Sequence, residues 1–364
     1  MHNDIYMLWL SSMVHKIGSR KLNSLIEIFG TARAVFLSHA EELEDAMGNA
    51  HHAHQTIKRN RSHEYIESVL AKLENCGMAY ISRNNERFPV LLSQIPDPPL
   101  GIFFMGTLPA DDIVKVAIIG SRKCSEYGLL TARLLAKPLA EAGVVVVSGM
   151  ARGVDSMAHR GALQGGGLTI AVLGCGADIC YPPENRELRA EILQKGCIIS
   201  EYAPGVQPTP AFFPARNRII SGLSLGVVVT EAGLKSGTLI TVDQAQEQGR
   251  DVMAVPGNIS SKLSQGTNQL IRDGAYAVSD HQDIIGMLGI TVKTESMAEK
   301  TKNVQTSLAP DEKQVYDKLS LEPISMEALA ETTEIEIAKL HLICTKLELR
   351  GFAKKLPGAR YIRS

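Results

Sequence analysis

No stretch of this chain is both long and apolar enough to span a membrane. Its first apolar segment, Ile5 to Val14, is short, follows Asp4 in place of a basic region and has no small-residue cleavage site, so it reads as a helix of a folded domain rather than a signal peptide. Cysteine pairs are also missing. Cys76, Cys124, Cys175, Cys180, Cys197 and Cys344 show no C-x-x-C spacing, which disfavours a disulfide framework or a zinc site and fits free thiols in a reducing cytoplasm. Charge of one sign is absent: 38 Lys and Arg stand against 39 Asp and Glu, for a net charge of -1, so any phosphate or nucleic-acid contact must come from a local patch. Two nucleotide signatures are absent as well. The loop Gly120-Ser121-Arg122-Lys123-Cys124-Ser125-Glu126-Tyr127-Gly128 lacks G-x-G-x-x-G spacing, the next strand ends in Ser148-Gly149 instead of a ribose-holding acid, and no G-x-x-x-x-G-K-[ST] loop occurs. NAD and ATP are poor candidates, and no cofactor or metal is expected.

What the chain does contain is a series of short Val- and Ile-rich runs, each closed by small residues. Val116 to Ile119 ends in Gly120-Ser121-Arg122, Val144 to Val147 in Ser148-Gly149, and Leu168 to Leu173 in Gly174-Cys175-Gly176. Ile198-Ile199 ends in Ser200, Val227 to Val229 in Thr230-Glu231-Ala232-Gly233, and Val252 to Val255 in Pro256-Gly257. Separated by helix-length stretches, such runs read as buried parallel strands. Ligands of parallel sheets sit beyond the carboxyl ends of the strands, where small residues expose backbone N–H groups, so the expectation is a rim of amides facing an anion.

At 364 residues the chain should hold two or three domains. Residues 1–75 read as a helical domain with a tight turn at Lys16-Ile17-Gly18-Ser19, similar to a helix-hairpin-helix or SAM-like module, although an ordinary helical hairpin fits too. His51, His52 and His54 fall in a polar stretch expected to be a solvated loop. Residues 76–289 read as an extended Rossmann-like, mostly parallel α/β domain, with Leu100 to Met105 as an added edge strand. Residues 290–308 form a polar linker, and 309–364 read as three helices and a hairpin, a winged helix. Its third helix mixes Lys339, His341 and Lys346 with Glu334, Glu336 and Glu348, so protein contact and DNA contact are both open.

Four clusters at the expected strand ends carry chemistry. Gly120-Ser121-Arg122-Lys123 combines amides with a guanidinium before a helix, a phosphate grip unless Arg122 pairs with a buried carboxylate. After Ser148-Gly149, Asp155 and His159 lie four apart on a helix, as a reacting pair or as a loop anchor. Phe212-Phe213-Pro214-Ala215-Arg216-Asn217-Arg218 sets two rings beside two arginines. Phe213 is the ring expected to be available for stacking, and one arginine should reach ligand while the other ties the helix to the sheet. Lys235-Ser236-Gly237-Thr238 supplies a cation, hydroxyls and an amide at a helix start.

Several motifs in one order, Gly120-Ser121-Arg122, Ser148-Gly149-x-Ala151-x-Gly153-x-Asp155, Leu173-Gly174-Cys175-Gly176, Tyr181-Pro182-Pro183-Glu184-Asn185, Phe213-Pro214-x-Arg216-Asn217-Arg218, Ser236-Gly237-Thr238-Leu239-Ile240-Thr241, Gln248-Gly249-Arg250, Val255-Pro256-Gly257 and Gln265-Gly266-Thr267-Asn268, make the chain resemble the DNA-processing protein A (DprA/Smf) family. The resemblance implies a bacterial cytoplasmic protein. Such a protein binds single-stranded DNA, protects it as it enters during natural transformation, and helps load the RecA recombinase as a homodimer. Carried across residue by residue, it places Gly120, Ser121, Arg122, Phe213, Arg216, Asn217, Arg218, Ser236, Gly237 and Thr238 at the DNA site, with Lys235 added on charge and neighbourhood. The sheet also resembles the "lysine decarboxylase-like" nucleotide phosphoribohydrolases, the alternative for an enzyme. Thr241 stands where their catalytic glutamate would be, and a threonine supplies no carboxylate. A third alternative is an adaptor that binds through its winged helix.

Overall fold

The structure is a computed structural model that describes residues 4–48, 50–291, 308–320, 323–350, 352–356, 358 and 360–363. The chain divides into two compact units, 1–292 and 293–364. The linker expected at 290–308 falls mostly on 292–307, outside the described residues.

The first unit begins with helices α1 (Asp4–Ser11), α2 (Val14–Ile17), α3 (Ser19–Phe29), α4 (Ala32–Leu37), α5 (Ala40–Met47), α6 (His51–Asn60) and α7 (His63–Asn75). The histidine-rich stretch is therefore helical, contrary to the loop expected there. Ala53, Thr56 and Ile57 recur at helical spacing on its buried side, and that periodicity outweighs the polar composition. The helices enclose Trp9, Leu10, Met13, Leu22, Val35 and Ile57, and Leu100 and Tyr202 from the sheet region complete the same core. Helices and sheet are thus joined by continuous apolar packing.

The sheet is nine-stranded, in the order β1-β2-β6-β5-β4-β3-β7-β8-β9. Its strands are β1 (Ala79–Ser82), β2 (Gly101–Gly106), β3 (Lys115–Ile119), β4 (Val145–Ser148), β5 (Thr169–Leu173), β6 (Cys197–Ser200), β7 (Gly226–Val229), β8 (Asp251–Ala254) and β9 (Tyr276–Ala277). β3 to β9 run parallel, whereas β1 and β2 are added antiparallel beside β6. The edge is β1, not the β2 segment expected in that place. Ala79–Ser82 is only four residues long and offered too little pattern to stand out. The connecting helices relevant to the site are α8 (Val90–Ser93), α9 (Glu126–Glu141), α10 (Val154–Gln164), α11 (Arg186–Lys195), α12 (Phe212–Gly222) and α13 (Thr238–Glu247).

Alternation along the strands explains why both faces read as apolar. Ala117, Ile119, Val145, Val147, Val227 and Val229 pack under Ile219 and Ile220 of α12, Leu223 just after it and Val242 of α13. Val116, Ile118, Val146 and Val228 face Ala132, Leu135 and Leu139 of α9 and Ala158 of α10. Each fully buried Val, Ile or Leu contributes about 1.5–3 kcal/mol, so a sheet covered on both faces selects uninterrupted apolar runs. The chain lays down β3, β4, β5 and β6 in one direction and then returns to place β7 on the other side of β3. That reversal opens a crevice at the carboxyl ends of β3 and β7.

The first unit ends with α14 (Gln265–Arg272) and α15 (His281–Met287), and the second unit contains α16 (Pro310–Lys318), β10 (Ile324–Ser325), α17 (Met326–Thr333), α18 (Ile337–Leu349), β11 (Ala353–Leu356) and β12 (Arg360–Arg363). Three helices pack on a small sheet of order β10-β12-β11 around Val315, Leu329, Leu340, Leu347 and Tyr361. This is a winged helix, with β10 as a short strand beyond the expected hairpin. Together the elements make an α/β protein: a helical N-terminal part, an extended, mostly parallel Rossmann-like sheet and a C-terminal winged helix. Among the described residues no helix is long and apolar enough to cross a membrane, and the six cysteines are unbonded.

Candidate nucleic-acid interface

A cavity of about 610 Å³ lies in the crevice at the strand ends. Gly120, Ser121, Arg122, Phe213, Arg216, Asn217, Ser236, Gly237 and Thr238 all line it, although they come from three separate segments of the chain. Two of the sequence-derived candidates stand elsewhere. Lys235 is exposed and outside the cavity wall.

Arg218 is buried and points away from the cavity. Its Nη2 donates to Glu201 Oε1 at 2.6 Å and to Ser19 Oγ at 3.1 Å, and its Nε reaches Asp97 Oδ2 at 3.4 Å. Glu201 is itself buried, so the guanidinium neutralises a desolvated carboxylate and holds the turn before α3 to the sheet. Arg216, one helical face away, is also buried. Its Nη1 donates to the Gly149 carbonyl at 2.9 Å and to the Val172 carbonyl, and its Nε to Asn217 Oδ1 at 3.2 Å. Burial pushes the Arg216 guanidinium down to about 10, which still leaves it a cation at neutral pH. It therefore spans β4 and β5 from beneath and places its charge in the cavity wall.

The loop after β4 is built around Arg216 and Asp155. Asp155 Oδ2 accepts from the amides of Gly149 at 3.2 Å and Ala151 at 3.4 Å. A Cβ at Gly149 would lie 2.6 Å from Arg216 Nη1, so any larger residue there would push the guanidinium out of place. Gly153, at φ +76°, approaches the Ser121 and Arg122 carbonyls closely and locks the two loops together. Burial pushes the Asp155 carboxyl up, and the Arg216 charge opposes that. Asp155 is thus a loop anchor, and His159 does not join it. The His159 Nδ1 lies 2.7 Å from Thr169 Oγ1, whose own proton goes to the Val146 carbonyl, so Nδ1 carries the ring proton. Its Nε2 is buried and has no hydrogen-bond partner among the described residues, and burial brings the imidazole down to about 3, neutral at physiological pH.

The expected rim of backbone amides is partly spent. Ser121 N–H donates to the Glu231 carbonyl at 2.8 Å, and Thr238 N–H to Ser236 Oγ at 3.3 Å. The donors lining the cavity are therefore mainly side chains: Arg122, Lys123, Asn217 and the hydroxyls of Ser121 and Thr238, the Ser236 hydroxyl donating to Thr238 Oγ1 at 2.9 Å. Arg122 is exposed, and its guanidinium lies 5.2 Å from the centre of the Phe213 ring. Tyr181 flanks the same ring, 5.4 Å between centroids and 32° apart in plane. Phe212 turns the other way and stacks on Tyr202 at 4.4 Å. Tyr181 is the site residue that residue-by-residue reasoning missed. Its signal was the Tyr181-Pro182-Pro183-Glu184-Asn185 motif, in which Asn185 ties the loop down by donating to the Met150 carbonyl at 2.8 Å. Glu231 faces away and accepts from Ser125 N–H and Oγ, both at 2.7 Å, at the start of α9.

Cations, hydroxyls and two aromatic rings stand together at the switch point of a Rossmann-like sheet in a protein of the α/β class, chemistry suited to an anion and a base. Residues 79–289 match the family DNA recombination-mediator protein A, and residues 299–359 match the DprA winged helix domain. The chain belongs to the DNA recombination-mediator protein A (DprA/Smf) family. It is 44% identical over 217 residues to the DNA processing protein DprA of Streptococcus pneumoniae, covering 57% of this chain and 77% of that protein. An X-ray structure of DprA from Streptococcus pneumoniae superposes with a TM-score of 0.65 at 36% identity, over 79% of this chain and 97% of that one. DNA processing protein A from Helicobacter pylori, a structure described for its unique single-stranded DNA binding mode, superposes with a TM-score of 0.52 at 34% identity, over 58% of this chain and 95% of that one.

Proposed function

We propose that the strand-end cavity binds single-stranded DNA and does not turn it over. The observation that carries this is the pairing of Arg122 with the Phe213 ring at the mouth of a cavity also lined by Arg216 and Tyr181. A phosphate beside a guanidinium and a base against a ring is what a flexible single strand offers at the spacing of one nucleotide, and stacking tolerates any base. A duplex hides its base faces and binds more weakly. The acid of the cavity wall, Asp155, is engaged by two amides and faced by Arg216, and Thr241 offers no carboxylate, which favours binding over hydrolysis. The Helicobacter pylori relative's single-stranded DNA binding mode supports the same ligand.

The proposed role goes further, with family membership as its support: the protein protects single-stranded DNA entering during natural transformation and, as a cytoplasmic homodimer, helps load the RecA recombinase. Two sites on one strand would raise apparent affinity through effective concentration. The test is fluorescence anisotropy of labelled oligo-dT across a salt series, for wild type and Arg122→Ala, with duplex DNA as competitor. Salt-sensitive binding that collapses in the variant is expected. Binding indifferent to Arg122, or sustained release of free base from nucleoside monophosphates that Arg216→Ala abolishes, would overturn it.

A further inference from the structure

A second space opens on the other side of the α12 start. It is a groove of about 880 Å³ between the N-terminal helices and the loop that follows β6, lined on one side by Lys16, Tyr65 and Lys72 and on the other by Gly205, Gln207 and Phe212. The two spaces share one wall. Thr209 and Phe212 line the groove, whereas Pro210 and Phe213 line the cavity, so the segment 209–213 is a partition only one chain thick. The groove lies off the ends of β5 and β6, and the cavity off β3 and β7. From β3 to β6 is three interstrand steps, roughly 14 Å at about 4.8 Å each, so both spaces sit on one edge of the sheet within a short run of nucleotides.

We propose that this groove is a second subsite for single-stranded nucleic acid, taking the stretch of strand that leaves the strand-end cavity, an inference that rests on the function proposed above. The charge fits. Lys16 and Lys72 are exposed at its wall and, among the described residues, no carboxylate lies within 4.0 Å of either. The acid that lines the groove, Asp178, is occupied, since its two oxygens accept from Gly205 N–H at 2.9 and 3.1 Å and hold the loop in place. The geometry is also fixed. Arg218 ties Ser19, Asp97 and Glu201 together, and Phe212 stacks on Tyr202 in the core under the helices, so the lysines keep their distance from the cavity. A strand held at Arg122 and Phe213 passes over the partition with its phosphates toward Lys16 and Lys72.

The experiment measures binding of two oligo-dT probes, a dinucleotide too short to bridge the roughly 14 Å between cavity and groove and one long enough to reach the groove, toward the upper end of the range of about 4 to 16 nucleotides for single-strand sites. The variants are Lys16→Gln/Lys72→Gln, Arg122→Ala, and a control, Lys137→Gln/Lys195→Gln, which removes two exposed lysines from α9 and from the end of α11. The groove variant should bind the long probe severalfold more weakly, with a salt slope lower by about 1.4, two phosphates at about 0.7 each, and bind the short probe like wild type. An unchanged long-probe affinity and slope, or an equal loss in the control, would overturn the groove while leaving the cavity intact. Arg122→Ala should weaken both probes, and its failure to do so would instead overturn the cavity.

Discussion

The carboxyl edge of the sheet and the winged helix carry similar residues and use them in opposite ways. In the winged helix three cations are turned back onto the fold: Lys339 pairs with Asp311, Arg350 donates to Glu312 at 2.8 Å, and Arg363 lies 4.6 Å over the Tyr316 ring. At the sheet edge Arg122 rests on an aromatic ring instead, and among the described residues no carboxylate lies within 4.0 Å of it. The contrast extends in part to α12, where Arg218 is ion-paired with Glu201 and Asp97, whereas Arg216 donates to two backbone carbonyls and lines the cavity, with Asp155 balancing its charge from beyond 4.0 Å. A positive residue marks a ligand site only where the fold has not already supplied its counter-charge.

The sharpest way to break that comparison is to remove each arginine in turn. Arg218→Ala leaves Glu201 buried and unpaired, and should cost about 3–5 kcal/mol of stability by denaturant unfolding; a loss no larger than that of Arg122→Ala would erase the distinction. Next in size is the response to acid. His159 binds its proton near 3 in the folded protein and near 6.5 in the unfolded chain, so the unfolded state holds more protons between those values. Stability from this group is complete above about pH 6.5 and declines as pH falls toward 3. The midpoint of denaturation measured at pH 7, 5.5 and 4.5 should fall less steeply in His159→Leu than in wild type. Arg122→Ala should leave stability unchanged and weaken single-stranded DNA binding by about 1–3 kcal/mol, measured by anisotropy. The smallest effect is expected in the winged helix, where Lys346→Gln should shift oligo-dT affinity by less than about twofold if the strand is held at the sheet edge. A drop as large as that of Arg122→Ala would move the binding site to this unit.

Much of the fold was legible because each central strand is an apolar run with a small-residue stop, a pattern enforced by burial on both faces. β1 and β9 escaped notice because four and two residues carry too little periodicity, and α6 because three histidines hid the spacing of Ala53, Thr56 and Ile57. The candidate site was legible as separate loops. What could not be read was which donors remained available. The Ser121 amide goes to Glu231 and Arg218 to Glu201, partners 110 and 17 residues away whose positions depend on the packing of other strands and helices.

By itself the sequence determined that this chain forms a parallel α/β sheet with glycine-rich strand ends, because hydrophobic periodicity and backbone sterics are local properties. Only the tertiary structure decided that β7 returns beside β3, bringing Ser236, Gly237 and Thr238 against Gly120, Ser121 and Arg122 to enclose one cavity. It also decided that Phe213 faces that cavity while Phe212 closes the core beneath the helices. Strand order and the direction of a side chain are set by contacts between distant segments, and the free energy that selects them exists only once those segments have packed.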